Sequence, residues 1–448
     1  MAKVLLISPP FYRLMGSHYN GIHLGLCYIA SVLNKNGFDT EIYNADFLDS
    51  ATYSNQKELF DNFDVYINIL NDPAHPIWLE VREAIRNADP DYIGIQMYTG
   101  TFKSVQMVAA LAKSLKPEVK IAVGGTHPTL DPFGTIKCEH YDYVIRGEGE
   151  YTFTEILEGR EPAAIKGLTF KNSGGEAVSN EAREFMEDLD SLPFPARDKI
   201  LSGNGKTDVG AIITGRGCPF QCSYCASPEL SNQKARYRSV ENVLEELEYM
   251  TRHLNISLVR FQDDTFTLNK SRTAEICDGM LRKGIDVQWV CDTRVDRIDG
   301  DLLKLMKRAG CVRVKIGVES GSDEILKKVR KGVTVERIRR GVEVIKGAGI
   351  PLTIYLMIGF PGETDDDVRK TIRFADEIDA DYNSLSVVAP YYGTRIYKNL
   401  VKEGFGFEKS NWEYFFHQSR AMIMNTKISR QVIDEFFGLN DKNKGARV

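Results

Sequence analysis

Short apolar runs alternate with amphipathic segments along most of the chain. In residues 1–158 the runs typical of strands lie at 3–7, 38–43, 91–97, 120–123 and 143–145. Segments with helical periodicity lie between them, for example at 25–35 and 104–115. Strands and helices that alternate over short connections are typical of a doubly wound parallel sheet. The pattern therefore predicts a Rossmann-like α/β domain over residues 1–158.

The alternation fades over residues 159–208, where Gly, Pro, Asn and charged residues become more frequent. Two short apolar stretches flank Gly174-Gly175 and predict a small hairpin. Residues 188–198 contain two prolines, which keep this segment out of a helix. We therefore predict a linker with a small hairpin between two domains.

Regular alternation resumes after residue 208. Six apolar runs follow, at 210–214, 258–262, 287–291, 312–318, 352–358 and 384–388. Amphipathic segments of helical length separate them, which makes six βα units, two short of the eight that close a (β/α) barrel. The prediction is a (β/α)6 partial barrel over residues 209–390, followed by a short helical C-terminal cap over residues 391–448.

Composition narrows the class of protein. The chain has 448 residues, of which 43% are hydrophobic and 27% charged, and its net charge is −5. Both signs are interspersed, so no nucleic-acid-binding face is indicated. No apolar run approaches the roughly 20 residues of a membrane-spanning helix, and the first residues lack signal-peptide organisation. We expect a cytoplasmic protein without a transmembrane segment, and contact with a lipid substrate stays open.

Three of the eight cysteines lie close together, spaced Cys-x3-Cys-x2-Cys, as Cys218, Cys222 and Cys225. Three thiolates from one loop suit an iron–sulfur cluster. A [4Fe–4S] cluster so bound keeps one iron open to a small ligand, whereas structural zinc needs a fourth protein ligand that no nearby Cys or His supplies. We predict that these three cysteines bind a [4Fe–4S] cluster. The other five are expected to be buried as small hydrophobic residues: Cys27, Cys138, Cys277, Cys291 and Cys311.

Polar and glycine-rich strings follow the predicted strands, where α/β domains bind ligands. In the first domain they are Ser8-Pro9-Pro10, Tyr98-Thr99-Gly100-Thr101 and Gly124-Gly125-Thr126-His127-Pro128-Thr129. In the second they are Gln262-Asp263-Asp264-Thr265-Phe266, Asp292-Thr293-Arg294, Gly317-Val318-Glu319-Ser320-Gly321 and Gly359-Phe360-Pro361-Gly362-Glu363-Thr364. Any one string also suits a plain turn, so only their ordered set is informative.

The ordered set, with an aromatic residue before the last cysteine of the triad, resembles the cobalamin-binding radical S-adenosylmethionine (SAM) enzyme family. The resemblance covers about residues 3–390. It implies that the first domain binds cobalamin and that the partial barrel binds SAM on the open iron of the cluster. It also implies an electron donor such as a flavodoxin or a ferredoxin.

The resemblance implies two sets of cofactor contacts. The SAM contacts are Gln262, Asp264, Arg294, Glu319, Ser320, Gly359, Pro361 and Gly362. The cobalamin contacts are Tyr98, Thr99, Gly100, Gly124, Gly125, Thr126, His127, Gly147 and Glu148. Three alternatives stay open: Glu319 in a surface salt bridge, Glu363 as a carboxylate stabilised by a helix N-terminus, and Arg294 facing either SAM or the substrate. No catalytic residue is assigned.

One departure from the family pattern concerns cobalt. Family members that bind cobalt through histidine carry Asp-x-His-x-x-Gly after the first strand, whereas here Gly16 precedes Ser17-His18. A ligand histidine needs an acceptor that fixes its tautomer. We therefore expect His18 to be a mobile or substrate-facing loop residue. His127 is expected to contact the cofactor from its loop or to be structural.

The leading functional hypothesis is a C-methyltransferase. By the resemblance, a methyl group passes from SAM through methylcobalamin to an unactivated carbon of a small-molecule or lipid substrate, by way of a 5′-deoxyadenosyl radical. The alternatives are a radical cyclase or ring-rearranging enzyme without methyl transfer, and a non-catalytic cobalamin carrier or sensor. Methylthiotransferases share the radical SAM core but resemble a different pattern, with three further cluster cysteines upstream. Here only Cys27 and Cys138 lie upstream of the triad, so we discard this alternative. The substrate is not defined by these patterns.

Overall fold

The computed structural model describes residues 2–50, 52–203, 205–407, 411–423 and 427–443. The strands are β1 (Lys3–Ser8), β2 (Asp39–Asn44), β3 (Tyr92–Gln96), β4 (Lys120–Gly124), β5 (Tyr143–Ile145), β6 (Leu168–Lys171), β7 (Ala177–Ser179), β8 (Ala211–Ile212), β9 (Gly215–Arg216), β10 (Arg236–Tyr237), β11 (Leu258–Phe261), β12 (Gln288–Thr293), β13 (Cys311–Glu319), β14 (Leu352–Ile358) and β15 (Tyr382–Val387). The α-helices are α1 (Leu24–Lys35), α2 (Gln56–Asp61), α3 (Phe63–Leu70), α4 (Pro76–Ala88), α5 (Phe102–Leu115), α6 (Thr126–Leu130), α7 (Pro132–Thr135), α8 (Gly149–Leu157), α9 (Ser227–Ser231), α10 (Val240–His253), α11 (Lys270–Lys283), α12 (Gly300–Arg308), α13 (Asp323–Lys328), α14 (Val335–Gly347), α15 (Asp365–Ile378), α16 (Arg395–Lys402) and α17 (Arg430–Phe437).

The first sheet has the strand order β2-β1-β3-β4-β5-β6-β7, and its first five strands are parallel. This confirms the predicted doubly wound sheet. The strand order reverses between β1 and β3, which is where ligands bind in such sheets. The predicted hairpin also forms as β6 and β7, but it is not a separate part of a linker. It continues the sheet, because β6 pairs antiparallel with β5.

Both faces of this sheet are covered by helices, because successive side chains of a strand point to opposite faces. Leu6 and Phe153 of α8 belong to one core, together with α1. Ile7 and Trp78 of α4 belong to the other, together with α3 and α5. The hydrophobic pattern gives no prediction for α2, α3 and α4. A capping box at the start of α2 and Pro76 at the start of α4 are the local signals that mark them.

The second sheet has the strand order β15-β14-β13-β12-β11-β8, and all six strands are parallel. The six-unit partial barrel is therefore confirmed. Three further elements, α9, α13 and the two-stranded ribbon of β9 and β10, lie in the loops after its strands. They are too short to leave a periodic signal. Cys27, Cys277, Cys291 and Cys311 are buried as expected, and Cys138 is half-buried.

The C-terminal segment packs on both domains. Phe415 belongs to the core of the barrel, and the next residue, Phe416, belongs to a core of the first domain. The Phe416 ring lies 5.3 Å from the ring of Phe11 and 5.2 Å from that of Tyr66. Conversely, Phe60 of α2 belongs to the barrel core, with its ring 4.5 Å from Phe437. The aromatic residues of the predicted cap are thus interdomain core.

Over the ranges that the structure describes, none of the helices combines the length and the apolar character that crossing a membrane requires.

A buried carboxylate joins the interdomain connection to the barrel. Glu246 of α10 is fully buried, and its two oxygens accept hydrogen bonds from Arg197 at 2.6 Å and from Arg238. Arg197 also donates to the carbonyl of Ala211 in β8, and Arg238 donates to that of Ile213. The first barrel strand, the connection and α10 therefore share one ion cluster.

We expect Glu246→Gln to lower the free energy of unfolding by about 3–5 kcal/mol, because it leaves two buried guanidinium groups without their counter-charge. The measurement is urea unfolding followed by circular dichroism. Glu245→Gln, at an exposed position of the same helix, is the matched control and should change stability by less than about 0.5 kcal/mol. Equal midpoints for the two variants would contradict this role.

Candidate functional site

One cavity lies where the two domains face each other. Its volume is about 440 Å³, and it is lined from the first domain by the ends of β3, β4 and β5 and by α1 and α8. The barrel side contributes Gly215, Arg216 and Gly217, which precede the cysteine triad, and Gln262 and Asp264 at the end of β11. The carboxyl ends of β3, β4 and β5 and those of the barrel strands β8 and β11 therefore open on one space.

The part of this cavity inside the first domain is a slot between the sheet and the helices α1 and α8. Small residues form its base, namely Gly94, Ala122 and Gly124, and Leu6, Ile29 and Phe153 form apolar walls. The turn after β4 requires glycine, since Gly125 has a φ of 118° and a Cβ there would lie 2.7 Å from the carbonyl oxygen of Met97. Such a slot fits a flat, largely apolar ligand group.

Five of the predicted cobalamin contacts line the cavity: Gly124, Gly125, Thr126, Gly147 and Glu148. Tyr98, at the end of β3, is 47% exposed, and its hydroxyl is bonded by the side chain of Gln96. Gly100 does not line the cavity. Its carbonyl accepts a hydrogen bond from Tyr66, and its Cα packs against Phe416.

His127 and Thr99 also lie outside the cavity lining. The His127 ring is fully buried, with Nδ1 3.1 Å from the hydroxyl of Thr99, and it packs against Phe102 and Trp412. Burial lowers the pKa of His127 to about 4, so the ring is neutral at physiological pH. His127 thus packs between the loop after β4 and the C-terminal segment. This position supports the structural alternative for His127.

His18 is also buried, which does not fit a mobile loop residue, whereas its expected alternative as a substrate-facing residue stays a prediction. Its ring stacks on Tyr53 at 4.0 Å, and burial lowers its pKa. Neither histidine belongs to the cavity lining. A third histidine, which no motif singles out, hydrogen bonds Ser8 at the end of β1: His23 Nε2 lies 2.9 Å from the serine hydroxyl.

Two carboxylates at the start of α8 bind the strand that precedes the cysteine triad. Arg216 donates to Glu148 at 2.8 Å and to Glu150 at 2.7 Å, and its guanidinium lies over the ring of Tyr28. Arg236, paired with Arg216 in the ribbon, donates a further pair of hydrogen bonds to Glu148. Burial alone would raise the pKa of Glu148, but the two arginines hold it below its usual value. Glu148 therefore joins the domains at the edge of the cavity.

The cysteine triad lies in the loop between β9 and α9, and all three thiols are half-buried. The loop is folded by its own backbone, since the amide of Ser227 donates to the Cys225 sulfur and that of Cys225 to the Cys222 carbonyl. Burial raises the pKa of Cys225 to about 12, so a thiolate there calls for the positive charge of bound iron. Within the described ranges, no three Cys, His, Asp or Glu side chains converge on one ion. A cluster, in which each cysteine binds a different iron, does not require that convergence.

Glu319 ends β13 next to this loop, with a φ of 66°. Its side chain is buried and pairs with Lys331 at 2.7 Å, so the alternative of a surface salt bridge is wrong. The Lys331 ammonium also lies 3.4 Å from the hydroxyl of Tyr224, which is the aromatic residue before Cys225. Lys331 is a residue that the motifs do not reveal, because it lies in an irregular turn after α13.

The paired aspartates after β11 differ in environment. Asp263 is buried and accepts hydrogen bonds from the amide and the hydroxyl of Thr214, which ties β11 to the turn after β8. Asp264 is exposed to the cavity and accepts a hydrogen bond of 2.7 Å from Ser227. Of the two, only Asp264 is available to a ligand, and it lies beside the cysteine loop.

Two of the predicted SAM contacts are engaged in packing. Arg294 pairs with Asp296 at 2.9 Å, donates to the Lys331 carbonyl, and lies 3.8 Å above the ring of Phe220 in the cysteine loop. Ser320 is fully buried, and its hydroxyl lies 3.1 Å from that of Thr371 in α15. Both therefore support the loops around the cysteine triad.

The loop after β14 surrounds a second, smaller cavity of about 180 Å³. Gly359, Pro361 and Gly362 form one wall, and the other is formed by residues of the C-terminal part, namely Val388, Pro390, Ile396, Leu400, Glu403, Phe405, Met422 and Lys427. Glu363 supports the loop from behind, where its carboxylate accepts hydrogen bonds from the amides of Gly359 and Phe360. Burial raises the pKa of Glu363 to about 8, because it outweighs these two hydrogen bonds.

Comparisons with known proteins agree with this geometry. The family model of the radical SAM superfamily matches residues 212–375, and that of the B12 binding domain matches residues 16–157. The chain is 32% identical to an uncharacterized methyltransferase of Pyrococcus horikoshii, over 96% of this chain and 90% of that protein. It is 26% identical to the anaerobic magnesium-protoporphyrin IX monomethyl ester cyclase of Rubrivivax gelatinosus, over 74% of this chain and 63% of that protein.

A solved structure shares the fold. It is the radical SAM methyltransferase TsrM from Kitasatospora setae with cobalamin and a [4Fe–4S] cluster bound, with a TM-score of 0.68, 19% identity, and coverage of 90% of this chain and 75% of that one. The two family models match the two domains in the order in which they occur here. The chain therefore belongs to the cobalamin-dependent radical SAM enzymes, and its cofactors are cobalamin, SAM and a [4Fe–4S] cluster.

Proposed function

We propose that the protein is a methyltransferase that moves a methyl group from SAM to a carbon atom of a small-molecule or lipid substrate. The observation that carries the proposal is the cavity between the domains, because it runs from the glycine-based slot of the first domain to Gly217, which directly precedes the cysteine triad, and to Asp264. Two cofactors bound at its ends would face each other across one space. The methyltransferase relative from Pyrococcus horikoshii supports this choice of reaction.

When bound, the cluster and cobalamin supply the electron and methyl transfer chemistry, and the chain supplies placement and exclusion of water. Cys218, Cys222 and Cys225 are the proposed cluster ligands. Asp264 is the proposed acceptor of a hydrogen bond from the amino group of SAM, since it is an exposed carboxylate beside the loop. Glu319, oriented by Lys331, is the proposed second polar contact. Gly359 and Gly362, which line the second cavity, are proposed to let the backbone approach the adenosyl group.

The slot of the first domain is the proposed seat of the nucleotide tail of cobalamin. Its small base and apolar walls suit a flat heterocycle, and the glycines at 124, 125 and 147 let the loops approach it. Glu148 contributes by holding Arg216 at the rim. None of the predicted polar contacts of the first domain has to ligate cobalt in this arrangement.

Filling the slot should prevent cobalamin from binding. A Cβ on Gly25, in the first turn of α1, would meet no heavy atom within 4 Å, and Gly25 lines the cavity. We expect Gly25→Phe to weaken cobalamin binding by at least about 10-fold, which is about 1.4 kcal/mol. Equilibrium dialysis with hydroxocobalamin measures the change.

Gly347 in the last turn of α14 is the matched control, because a Cβ there also meets nothing within 4 Å and the site is outside the cavity lining. Gly347→Phe should bind cobalamin like the unmodified protein. An unchanged affinity in Gly25→Phe would show that the cofactor does not use the slot.

Removing the counter-charge of Glu319 should weaken SAM binding. Lys331→Met leaves a buried carboxylate unpaired, so we expect the dissociation constant for SAM to rise about 10-fold. Lys331→Arg keeps the charge and should restore most of the affinity. The cluster absorbance is recorded in parallel, and a variant with an intact cluster and unchanged SAM affinity would exclude Lys331 as a positioning residue.

The type of reaction is tested by the fate of SAM labelled with deuterium on its methyl group. The reconstituted, chemically reduced protein is incubated with this SAM, hydroxocobalamin and a cell extract of small molecules and lipids. We expect 5′-deoxyadenosine, S-adenosylhomocysteine and a product that carries the label. A radical cyclase, as in the cyclase relative, would release 5′-deoxyadenosine without a labelled product.

Two cysteine variants complete this experiment. Cys222→Ala should abolish formation of 5′-deoxyadenosine, because the cluster loses a ligand. Cys138→Ala, in the first domain and half-buried, should retain it. If the unmodified protein holds its cluster but forms no 5′-deoxyadenosine under strong reductant, the enzymatic proposal fails and the carrier hypothesis takes its place.

A further inference from the structure

The outer surface of the cysteine loop is bordered by basic side chains. At the tip of the loop Pro219 and Gln221 are exposed, and Phe220 is half-buried. Gln221 hydrogen bonds Gln233 at 2.6 Å, so the tip is a neutral surface with an aromatic centre. The charged side chains described next lie at the borders of this tip.

On one border, the segment after α13 runs against the loop. The carbonyl of Val329 accepts a hydrogen bond of 2.9 Å from the amide of Ser223, which lies between two of the three cysteines. Val329 and Lys331 are buried, and Arg330 between them has a φ of 56° and an exposed side chain. This backbone turns the guanidinium outward beside the loop. Lys327, one turn earlier, is exposed as well.

Two more basic residues border the loop. A Cβ on Gly217 would lie 2.2 Å from the carbonyl oxygen of Lys234, so this exposed lysine is directly beside the start of the triad. The guanidinium of Arg297 lies 5.2 Å from the ring centre of Phe220. Lys234, Arg297, Lys327 and Arg330 form what we call the basic border.

Most acidic residues near the basic border form hydrogen bonds or ion pairs with other residues. Glu229 pairs with Lys398, Asp296 is bonded by Arg294 and lies 4.0 Å from Arg297, and Asp323 accepts the amide of Val335. Glu324 is exposed on α13. Among the described residues, the salt bridges found include none for Lys234, Lys327 or Arg330 within 4.0 Å. The border therefore presents three cationic groups without an ion-pair partner in the described part of the chain, beside the carboxylates of Asp323 and Glu324, on a protein whose net charge is −5.

We propose that the basic border is the docking surface for an acidic, low-potential electron-transfer protein. The inference rests on the proposed cluster site, because that cluster must receive one electron for each SAM it cleaves. One electron leaves the reduced donor, for example a flavin hydroquinone that becomes the semiquinone, and enters the cluster. An acidic donor is steered to a basic border around a neutral tip, and its cofactor then faces Phe220 and the cysteine loop.

The first test is a double charge reversal, Lys327→Glu with Arg330→Glu. Lys328 is left unchanged, because its ammonium lies against Gly362 of the proposed SAM site. The control is Arg82→Glu with Arg308→Glu, two exposed arginines on α4 and at the end of α12. Arg308 precedes the amino end of β13, on the side of the barrel opposite the cysteine loop.

Reduction of the reconstituted cluster is followed by absorbance, once with photoreduced flavodoxin as donor and once with dithionite. At low ionic strength we expect the border variant to be reduced by flavodoxin at least about 10-fold more slowly than the control variant. Added salt should slow the unmodified protein towards the border variant, since exposed charges are screened. Dithionite should reduce all proteins alike. Equal flavodoxin rates in the two variants would overturn the proposal.

The second test uses the unmodified protein, so it does not depend on the folding of a variant. Carboxylate-to-amine cross-linking to oxidised flavodoxin, followed by peptide mapping, should find Lys234 and Lys327 and should disappear at high salt. Cross-links that map only to lysines elsewhere would overturn the docking surface. Failure of the proposed function has a different signature, namely a dithionite-reduced cluster that does not cleave SAM.

Discussion

The ion cluster of Arg216 with Glu148 and Glu150 is the contact on which the arrangement of the site depends. The two carboxylates stand at the N-terminus of α8, where the helix dipole favours negative charge. The arginine stands two residues before Cys218, on the edge of the barrel. Each partner is largely withdrawn from water, so loss of one carboxylate or of Arg216 would leave the buried charges of this cluster only partly compensated. These ion pairs therefore tie the start of the cysteine loop directly to α8 of the first domain.

Much of the fold was predictable because both sheets are parallel. Strands buried on both faces are continuous apolar runs, and those runs matched β1–β5 and the six strands of the barrel within one or two residues. The ribbon of β9 and β10 was not predicted, because strands of two residues are too short to show a periodic pattern. The helices α2 and α3 were not predicted for another reason: they pack partly on the C-terminal segment, as Phe60 does on Phe437 and Phe63 on Phe416, and such distant contacts leave no local pattern. The helix α4 was missed although Ile77, Val81 and Ile85 recur at helical spacing.

The site was predictable at the level of loops but less so at the level of side chains. Glycine positions that the backbone requires, such as Gly125 and Gly359, lie where the motifs indicated. Polar residues within one string have different roles: Asp264 faces the cavity, whereas Asp263 is buried in packing. Sequence alone does not distinguish the two, because the difference lies in their three-dimensional surroundings. The partners of Arg216 and Glu319 could not be derived, since Arg216 is 68 residues from Glu148 and Lys331 lies in a turn without a motif.

The consecutive residues Phe415 and Phe416 have a mechanical consequence. Phe415 is buried in the core of the barrel and Phe416 in the core of the first domain, while Phe60 of the first domain is buried in the barrel core. A hinge rotation between the domains would therefore have to remove aromatic rings from two close-packed interiors at once. Opening by rigid-body separation is thus disfavoured. We therefore expect access to the cavity between the domains to depend on the loops at its rim, while the two domains keep their relative position.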